Sequence, residues 1–448
     1  MKHGRRRALR PELALVWRLS LPAILTQITT IVMQYIDSAM VGARGANASA
    51  AIGLVASSTW LFGGLTSAVA AGFSVQVAHR IGAGEEAEAR NVVRHGALAA
   101  LLLSGLLALA GALLSGPLPR MLGGGAELYA DASAYFLVFA LALPFQQLNA
   151  LCSGFLQCSG DMLTPSILNA VMCALDVAFN ALFIPRYGVL GAGLGTGLAC
   201  AAVSLAMTWR CCFRSAALRL DRKEKGHFEK AILQKALRIG LPVAVQEAAM
   251  CGAQVAATTI IAPLGAAAIA AHSFAVTAES LCYMPGYGIG AAATTLVGRN
   301  IGAGKHALAK RYGNICTAMG GIFMGVTGAA MMALCPLVFR LLTPDMQVRE
   351  LAAQALRIGL LAEPLYGVSI VAAGALRGAG DTLVPSLMNL ASIWGVRLGL
   401  ALVLTPRFGL AGMWTAMAVE LCVRGLLMLF RQRTTKYYDR PDAAEPAD

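Results

Sequence analysis

Two aspartates, Asp37 and Asp176, lie inside stretches of sequence that otherwise have the composition of membrane-spanning helices. Placing a carboxylate in hydrocarbon costs about 2.5–3.5 kcal/mol on insertion scales, so each acid needs a partner or a function. Gln34 lies three residues before Asp37 and Asn180 lies four after Asp176, which puts each pair on one helical face. Buried carboxylates without a basic partner are suited to binding a proton, a sodium ion or an organic cation.

Further polar residues extend these two faces. Gln27 lies ten residues before Asp37, and Asn169 lies seven before Asp176. The first half of the chain has no basic residue within its helix cores. We therefore predict a cation- or proton-coupling site composed of Asp37, Asp176, Asn180, Gln34 and Asn169. A sodium ion held by Asp37, Asp176 and Asn180 is the alternative to a proton, and a purely structural hydrogen-bonding role for each aspartate is the other alternative.

The composition identifies an integral membrane protein. The chain has 448 residues, of which 57% are hydrophobic and 13% charged, with a mean hydropathy of +0.66. Soluble domains carry about 25% charged residues. The net charge of +13 comes from basic clusters at 2–10, 219–238 and 431–436, with fewer basic residues in the alternate loops. This positive-inside pattern predicts that both termini lie on the cytoplasmic side of a bacterial-type inner membrane. It explains the net charge without a nucleic-acid partner. The expected partner of the chain is therefore the lipid bilayer.

The chain is an internal duplication. Pro22 recurs 220 residues later as Pro242, and "IGAG" at 81–84 recurs at 301–304 with the same offset of 220 residues. "GDMLTPSILN" at 160–169 matches "GDTLVPSLMN" at 380–389. Each half is predicted to contain six membrane-spanning helices. Because six crossings return the chain to the same side of the membrane, the second half has the same orientation as the first. The sequence predicts an all-α polytopic fold of twelve transmembrane helices in two six-helix lobes related by a pseudo-twofold axis along the membrane normal.

We assign the boundaries from the one long polar connection in the sequence. The prediction is an N-terminal lobe at 1–210, a cytoplasmic linker at 211–237, a C-terminal lobe at 238–432 and a cytoplasmic tail at 433–448. Two bundles of this kind without a soluble catalytic domain favour a secondary transporter.

The second half contains several candidate cavity residues and one internal arginine, Arg397. Arg397 and Glu420 are predicted to form a structural pair, and His272 is predicted to pack rather than to relay protons. Cavities for organic cations often have aromatic and sulfur surfaces. Further, weaker candidates for contact with the substrate are therefore Trp60, Phe62, Tyr135, Phe136 and Met284. The predicted substrate cavity comprises Gln27, Glu247, Gln254, Glu279, Tyr287, Glu363 and Tyr366.

Several motifs resemble the multidrug and toxin extrusion (MATE) transporters. They are "YIDSAMVG" around Asp37, "AAHSFAVTAESLCYMPGYGIGAAATTLVGRNIGAGK" at 270–305, "AAGALRGAGDTLVPS" at 372–386 and "FIPRYGVLGAGLGT" at 183–196. The resemblance covers nearly the whole chain and is greater to the proton-coupled DNA-damage-inducible branch than to the sodium-coupled branch.

The resemblance implies secondary active export of cationic or amphipathic organic compounds by alternating access, driven by protons or sodium, without a cofactor and as a monomer. In proton-coupled members the position of Asp37 is a coupling residue, and the first helix bends near the proline that corresponds to Pro22. The family's fifth helix carries an Asn and then a carboxylate four residues later, whereas this chain has the inverted order "DVAFN". Sodium-coupled members carry carboxylates on the seventh and tenth helices, and Glu247 and Glu363 lie about one turn from those positions.

Two other classes of protein remain as alternatives. A lipid-linked precursor flippase of the same superfamily is expected to have a basic central cavity, whereas the internal charges here are mainly acidic. A membrane-embedded enzyme is expected to show HExxH, GxSxG or clustered histidines, and the six histidines are dispersed. We therefore predict a transporter and not an enzyme.

Overall fold

The computed structural model describes residues 2–123, 125–220, 226–343 and 345–438. It describes their side chains except those of 2–10, 46 and 341. The basic cluster at 2–10, residues 221–225 of the predicted linker and residues 439–448 of the predicted tail therefore lie partly or wholly outside the description. All the regular secondary structure in the described residues is helical.

The first half of the chain forms six long helices and one short one. They are α1 (Lys2–Gly42), α2 (Ala46–Gly82), α3 (Glu86–Leu114), the short α4 (Leu118–Met121), α5 (Tyr129–Cys158), α6 (Leu163–Tyr187) and α7 (Val189–Trp209). A π-helical turn at Arg210–Arg214 ends α7.

The second half repeats this order with two interruptions. Its helices are α8 (Lys230–Ile261), α9 (Ala266–Gly302), α10 (His306–Leu342), α11 (Met346–Leu360), α12 (Glu363–Ala379), α13 (Leu383–Ala391) and α14 (Gly399–Thr434). A π-helix at Ser392–Leu398 joins α13 to α14 without a break.

The helices account for twelve membrane crossings. Nine stretches in the described residues are long and apolar enough to cross a membrane, and the pair α11 and α12, bent by 57°, gives a tenth. One of the nine, Leu383–Tyr438, is 56 residues long and contains a backbone break at Gly409 (φ 60°, ψ −140°), so it holds two crossings. The 37-residue α9 falls below that hydropathy but is long enough for the remaining crossing. The predicted all-α, twelve-helix fold is confirmed.

The duplication is visible in the backbone as well as in the sequence. Left-handed glycines end or connect helices at Gly84 and Gly304, with φ of 76° and 71°, and at Gly160 and Gly380, with φ of 94° and 89°. Each pair keeps the offset that separates the two halves of the sequence repeat. Glycine occupies these turns because residues with a Cβ are strained at positive φ.

The offset between equivalent residues of the two halves grows from 220 to 221 positions near the end of the repeat. Gly188 and Gly409 share a φ of 60°, and the change falls across the π-helix at Ser392–Leu398. A π-helical turn accommodates one extra residue inside an α-helix. The second half therefore carries a single inserted residue that the first half lacks.

Contacts divide the chain into two compact units, 28–248 and 1–27 with 249–448. In the unit 28–248, Phe73, Leu151, Phe155 and Met207 form the centre of a core between α2, α3, α5 and α7. The predicted lobe boundaries at 210 and 238 follow chain order and stay a prediction.

In the other unit, two hydrophobic cores lie at different positions along α9. Trp414 and Leu356 belong to a core shared by α9, α11 and α14, and Val16 of α1 packs with Ile289 and Val297 of α9 in a second core. The first part of α1 belongs to this unit because its apolar side packs against α9.

Close helix packing depends on small residues that recur in both repeats. A Cβ added to Gly374 of α12 would lie 2.5 Å from the carbonyl oxygen of Gly290 on α9. The Thr294 hydroxyl donates to the Gly374 carbonyl at 2.8 Å. At the same places in the first repeat, Gly154 of α5 contacts the Ser74 side chain of α2. Such backbone approach is typical of membrane helices, which pack without a hydrophobic driving force between them.

Candidate functional site

Three of the predicted residues meet inside the unit 28–248. The Asn180 side-chain amide donates from Nδ2 to Asp37 Oδ1 at 2.8 Å and to Asp176 Oδ2 at 3.3 Å. The two carboxyl groups are also close enough to interact directly. One amide therefore bridges two acids that lie on different helices, far apart in the sequence.

Local helix geometry fixes this arrangement. Asp176 and Asn180 are four residues apart on α6, so their side chains lie on one face, and neither is accessible to solvent. Gly195 of α7 packs so closely on Asn180 that an added Cβ would collide with Asn180 Oδ1. Asp37 is half-buried on α1. The glycine at 195 therefore leaves room for the Asn180 amide, whose Nδ2 faces Asp37 and Asp176.

The site has more acceptors than donors. Within the described residues, Asp176 Oδ1 and Asn180 Oδ1 are buried without a hydrogen-bond partner, and neither aspartate forms an ion pair. Tyr135 of α5 lies within electrostatic range of both carboxyls. An acid pair that lacks a fixed cation and has free oxygens can take up a proton or a hard cation, which prefers oxygen ligands.

Other residues of the predicted coupling site lie apart from the acid pair. Asn169 is buried, but its Nδ2 donates at 2.8 Å to the carbonyl of Pro165 on its own helix. Gln34 is exposed, and its carbonyl accepts from Ser38 at 2.8 Å. Helix α1 continues through Pro22, whose carbonyl accepts from Thr26 Oγ1 at 3.1 Å. The structure therefore brings together Asp37, Asp176 and Asn180, and gives Asn169 a local partner.

The unit 1–27 with 249–448 contains a buried charge network. Glu420 is fully buried and accepts from Ser392 Oγ at 2.8 Å and from Arg397 at 3.1 and 2.7 Å. Arg424 lies 3.1 Å from the other oxygen of Glu420 and also donates to Asn389 at 3.3 Å. The predicted pairing of Arg397 with Glu420 is present. The structure adds Arg424, which the sequence analysis missed although the spacing "ELCVR" puts it one turn after Glu420.

Two further acids in this unit are buried without such compensation. Glu363 is fully buried, and both of its carboxyl oxygens lack a hydrogen-bond partner among the described residues. Glu279 is 4% exposed, and its Oε1 also lacks one. Cys282 lies within electrostatic range of both. These acids carry the same type of unsatisfied oxygen as the Asp37 and Asp176 pair.

An aromatic row connects the charge network to an exposed ring. The Arg424 guanidinium lies 5.2 Å from the centre of the Tyr366 ring. Tyr366 lies 5.5 Å from Tyr283, which makes an edge contact with Tyr287 at 6.2 Å, and Tyr287 is 39% exposed. Because aromatic faces attract cations, this row presents cation-binding surface at Tyr287.

The remaining cavity candidates divide between the two compact units. Glu247 belongs to the unit 28–248, where its side chain packs against Gly64 of α2, whereas Gln254 and Gln27 belong to the other unit. His272 accepts a hydrogen bond at Nδ1 from Trp414 Nε1 at 3.2 Å, and their rings meet edge to face. This contact agrees with the packing role expected for His272.

Comparison with known proteins identifies the family. The MatE family model matches residues 22–182 and again 242–403, which covers most of the chain and reproduces the internal duplication. A probable multidrug resistance protein NorM of Pseudomonas aeruginosa is 30% identical over 97% of this chain and 92% of its own length. A protein of the same name from Thermotoga maritima is 29% identical over 92% of this chain and 90% of its own.

Solved structures show the same fold at lower identity. A MATE transporter in complex with MaL6 superimposes with a TM-score of 0.90 over 94% of this chain and 96% of its own, at 21% identity. A superfamily transporter from Pyrococcus furiosus, described as having a binding pocket of reverse polarity, gives a TM-score of 0.89 over 94% of this chain and 95% of its own, at 20% identity. These neighbours have twelve helices in two lobes. With two matches to the family model and full-length relatives, this chain belongs to the MATE family of multidrug efflux transporters and is not an enzyme.

Proposed function

We propose that this chain exports cationic or amphipathic organic compounds in exchange for protons by alternating access. The observation that supports this most strongly is the Asp37–Asn180–Asp176 group, in which one amide bridges two acids that have no cationic partner among the described residues. A proton on this pair removes the negative charge that attracts a cationic drug. When the proton leaves, the charge returns, so proton and drug compete for the same carboxylates.

The orientation of Asn180 favours a proton over sodium. Its Nδ2 faces both carboxylates, whereas a sodium ion prefers carboxylate and amide oxygens directed at a common point. Sodium coupling requires the Asn180 amide to turn so that Oδ1 faces the two carboxylates.

The unit 1–27 with 249–448 supplies most of the proposed substrate contacts. Tyr287 and Tyr366 offer aromatic faces, and Glu279 and Glu363 offer negative charge or proton-binding oxygens. Gln27, Glu247 and Gln254 are proposed as secondary polar contacts. We also propose a monomer in a bacterial cytoplasmic membrane with both termini in the cytoplasm, because the basic clusters concentrate in the loops on that side.

A lipid-linked precursor flippase is the second candidate, and the buried guanidinium groups of Arg397 and Arg424 favour it. Both groups, however, lie against Glu420, and Glu279 and Glu363 add two further carboxyl groups to the same unit. The acidic groups thus outnumber these two cations, which supports cationic cargo.

The proposal is tested with purified protein in proteoliposomes loaded with a fluorescent organic cation. An imposed pH gradient should drive transport by the wild type, and Asp37→Asn should abolish that transport. Asp131→Asn is the matched control, because Asp131 is an exposed acid of the same unit, in the first turn of α5 and outside the amide-bridged pair.

Two outcomes contradict proton coupling through Asp37. One is transport driven by a sodium gradient alone, and the other is full pH-driven activity in Asp37→Asn. Transport of an anionic lipid-linked precursor in place of the cation would support the flippase.

A further inference from the structure

A cluster of potential metal ligands lies at the end of the linker, away from the proposed coupling site. One ligand atom each from Glu88, His227 and Glu229 lies within 4.8 Å of the other two. Glu88 is in the first turn of α3, while His227 and Glu229 immediately precede α8. All three belong to the unit 28–248, so the linker end and α3 converge on one point.

The groups around His227 lie slightly farther apart than the ligands of a bound metal ion. His227 Nε2 lies 3.8 Å from Glu229 Oε2 and 3.4 Å from the side-chain amide of Asn91. Ligand atoms around a tetrahedral zinc ion, with bonds of about 2.0–2.1 Å, lie about 3.3–3.4 Å apart. To reach that spacing, His227 Nε2 and Glu229 Oε2 must approach by about 0.5 Å, and the Glu88 ligand atom, which lies within 4.8 Å of theirs, by up to about 1.5 Å.

Asn91 gives independent support. It is 3% exposed, its amide faces His227, and its Oδ1 is buried without a hydrogen-bond partner in the described part of the chain. The oxygen and nitrogen of a side-chain amide exchange places when the group flips over. After that flip, Oδ1 faces the cluster and supplies a fourth ligand, which completes the coordination number of a structural zinc site.

His95 holds the backbone that carries two of the ligands. Its Nε2 accepts from the Glu229 backbone N–H at 3.1 Å, and its Nδ1 lies 2.9 Å from the Asn91 carbonyl oxygen. The ring also packs against Phe228, with centroids 5.6 Å apart. His95 therefore positions both the 227–229 segment and Asn91 before any metal binds.

We propose that Glu88, His227 and Glu229, with Asn91, bind one divalent transition-metal ion of the zinc class. Two carboxylates and one imidazole form a donor set that suits Zn²⁺. The ion draws the two acids together and joins the linker end to α3. The site is structural, and it is independent of the transport reaction.

The test uses the full-length transporter in detergent, stripped with a chelator and titrated with Zn²⁺ against a chromophoric competitor. His227→Ala should raise the Kd for one zinc ion by at least about 100-fold, since losing a ligand exceeds the 10- to 100-fold effect of losing a ligand's supporting partner. Glu85→Gln is the matched control, because Glu85 is the acid at the N-cap of α3, three residues before Glu88, and pairs with Arg80.

Two further measurements separate this site from the eleven cysteines, all of which are free thiols. A Co²⁺-loaded sample should lack thiolate-to-metal absorption, because the proposed ligands are oxygen and nitrogen. Zn²⁺ should slow tryptic cleavage of the linker in the wild type and in Glu85→Gln, but not in His227→Ala. Equal zinc affinity in wild type and His227→Ala, or a cobalt spectrum dominated by thiolates, would overturn the proposal. Identical melting temperatures of the metal-free proteins exclude misfolding of the variant.

Discussion

Asp176 and Arg397 occupy equivalent positions in the two repeats but carry opposite charges. They are separated by the same offset that relates Gly188 to Gly409, and Arg397 lies near the end of the π-helix across which that offset arises. Asp176 shares an amide with a second acid, whereas Arg397 donates twice to Glu420. The duplicated scaffold has thus been retained while the chemistry at one position of its helix has reversed.

The first prediction concerns the bridging amide. Asn180→Ala should lower pH-driven transport at least about tenfold, because a hydrogen bond to a charged group contributes about 1.5–3 kcal/mol. Asn169→Ala is the control, since Asn169 bonds only to the Pro165 carbonyl of its own helix among the described residues. Both are measured as initial rates of cation transport in proteoliposomes. A larger loss in Asn169→Ala than in Asn180→Ala would contradict the assignment.

A second prediction uses the space that Gly195 leaves for this amide. Gly195→Ala should reduce transport, because the added methyl group collides with Asn180 Oδ1. Gly197→Ala, on the same helix, should be nearly neutral, since its nearest neighbours lie 3.6 and 3.7 Å away from the added Cβ. Expression and gel-filtration profiles of the two variants should match. If the two variants transport equally, Gly195 does not position the site.

A third prediction addresses the charge network. Glu420→Gln should destabilise the protein by about 3–5 kcal/mol, because it leaves the buried guanidinium of Arg424 and the partly buried one of Arg397 without their carboxylate. The double variant Glu420→Gln with Arg397→Gln should lose less than the sum of the single losses, since one of the uncompensated charges is removed. Thermal melting in detergent measures this difference. Strict additivity of the two changes would mean that the pair is not coupled.

The fourth prediction concerns helix packing. Gly374→Ala should lower thermal stability by about 1–3 kcal/mol, the usual range for overpacking, because the Gly290 carbonyl is backbone and has little freedom to move. Gly399→Ala should be neutral or slightly stabilising, since no atom lies within 4 Å of its added Cβ and alanine favours a helix. A melting temperature unchanged in Gly374→Ala would show that α9 and α12 can separate without loss.

Much of the fold could be predicted from sequence because it depends on local patterns. Apolar runs define helices, and the gapless repeat to Asn169 predicts two equivalent halves. The π-helix escaped detection because one extra residue changes neither composition nor hydropathy. Arg424 was missed because it lies near the basic end of the last helix, where an arginine usually marks topology, and only the folded chain brings it to Glu420.

The sequence by itself determined that Asp37 and Asp176 are acids within apolar helices that have no basic neighbours, because hydropathy and the positions of Lys and Arg are read directly from it. Helical spacing also placed Asn180 beside Asp176. Only the tertiary structure decided that Asn180 bridges to Asp37 and that Asn169 turns to its own helix. The reason is physical: spacing fixes the face on which a side chain lies, whereas the packing of α1 and α7 against α6 decides which group that face meets.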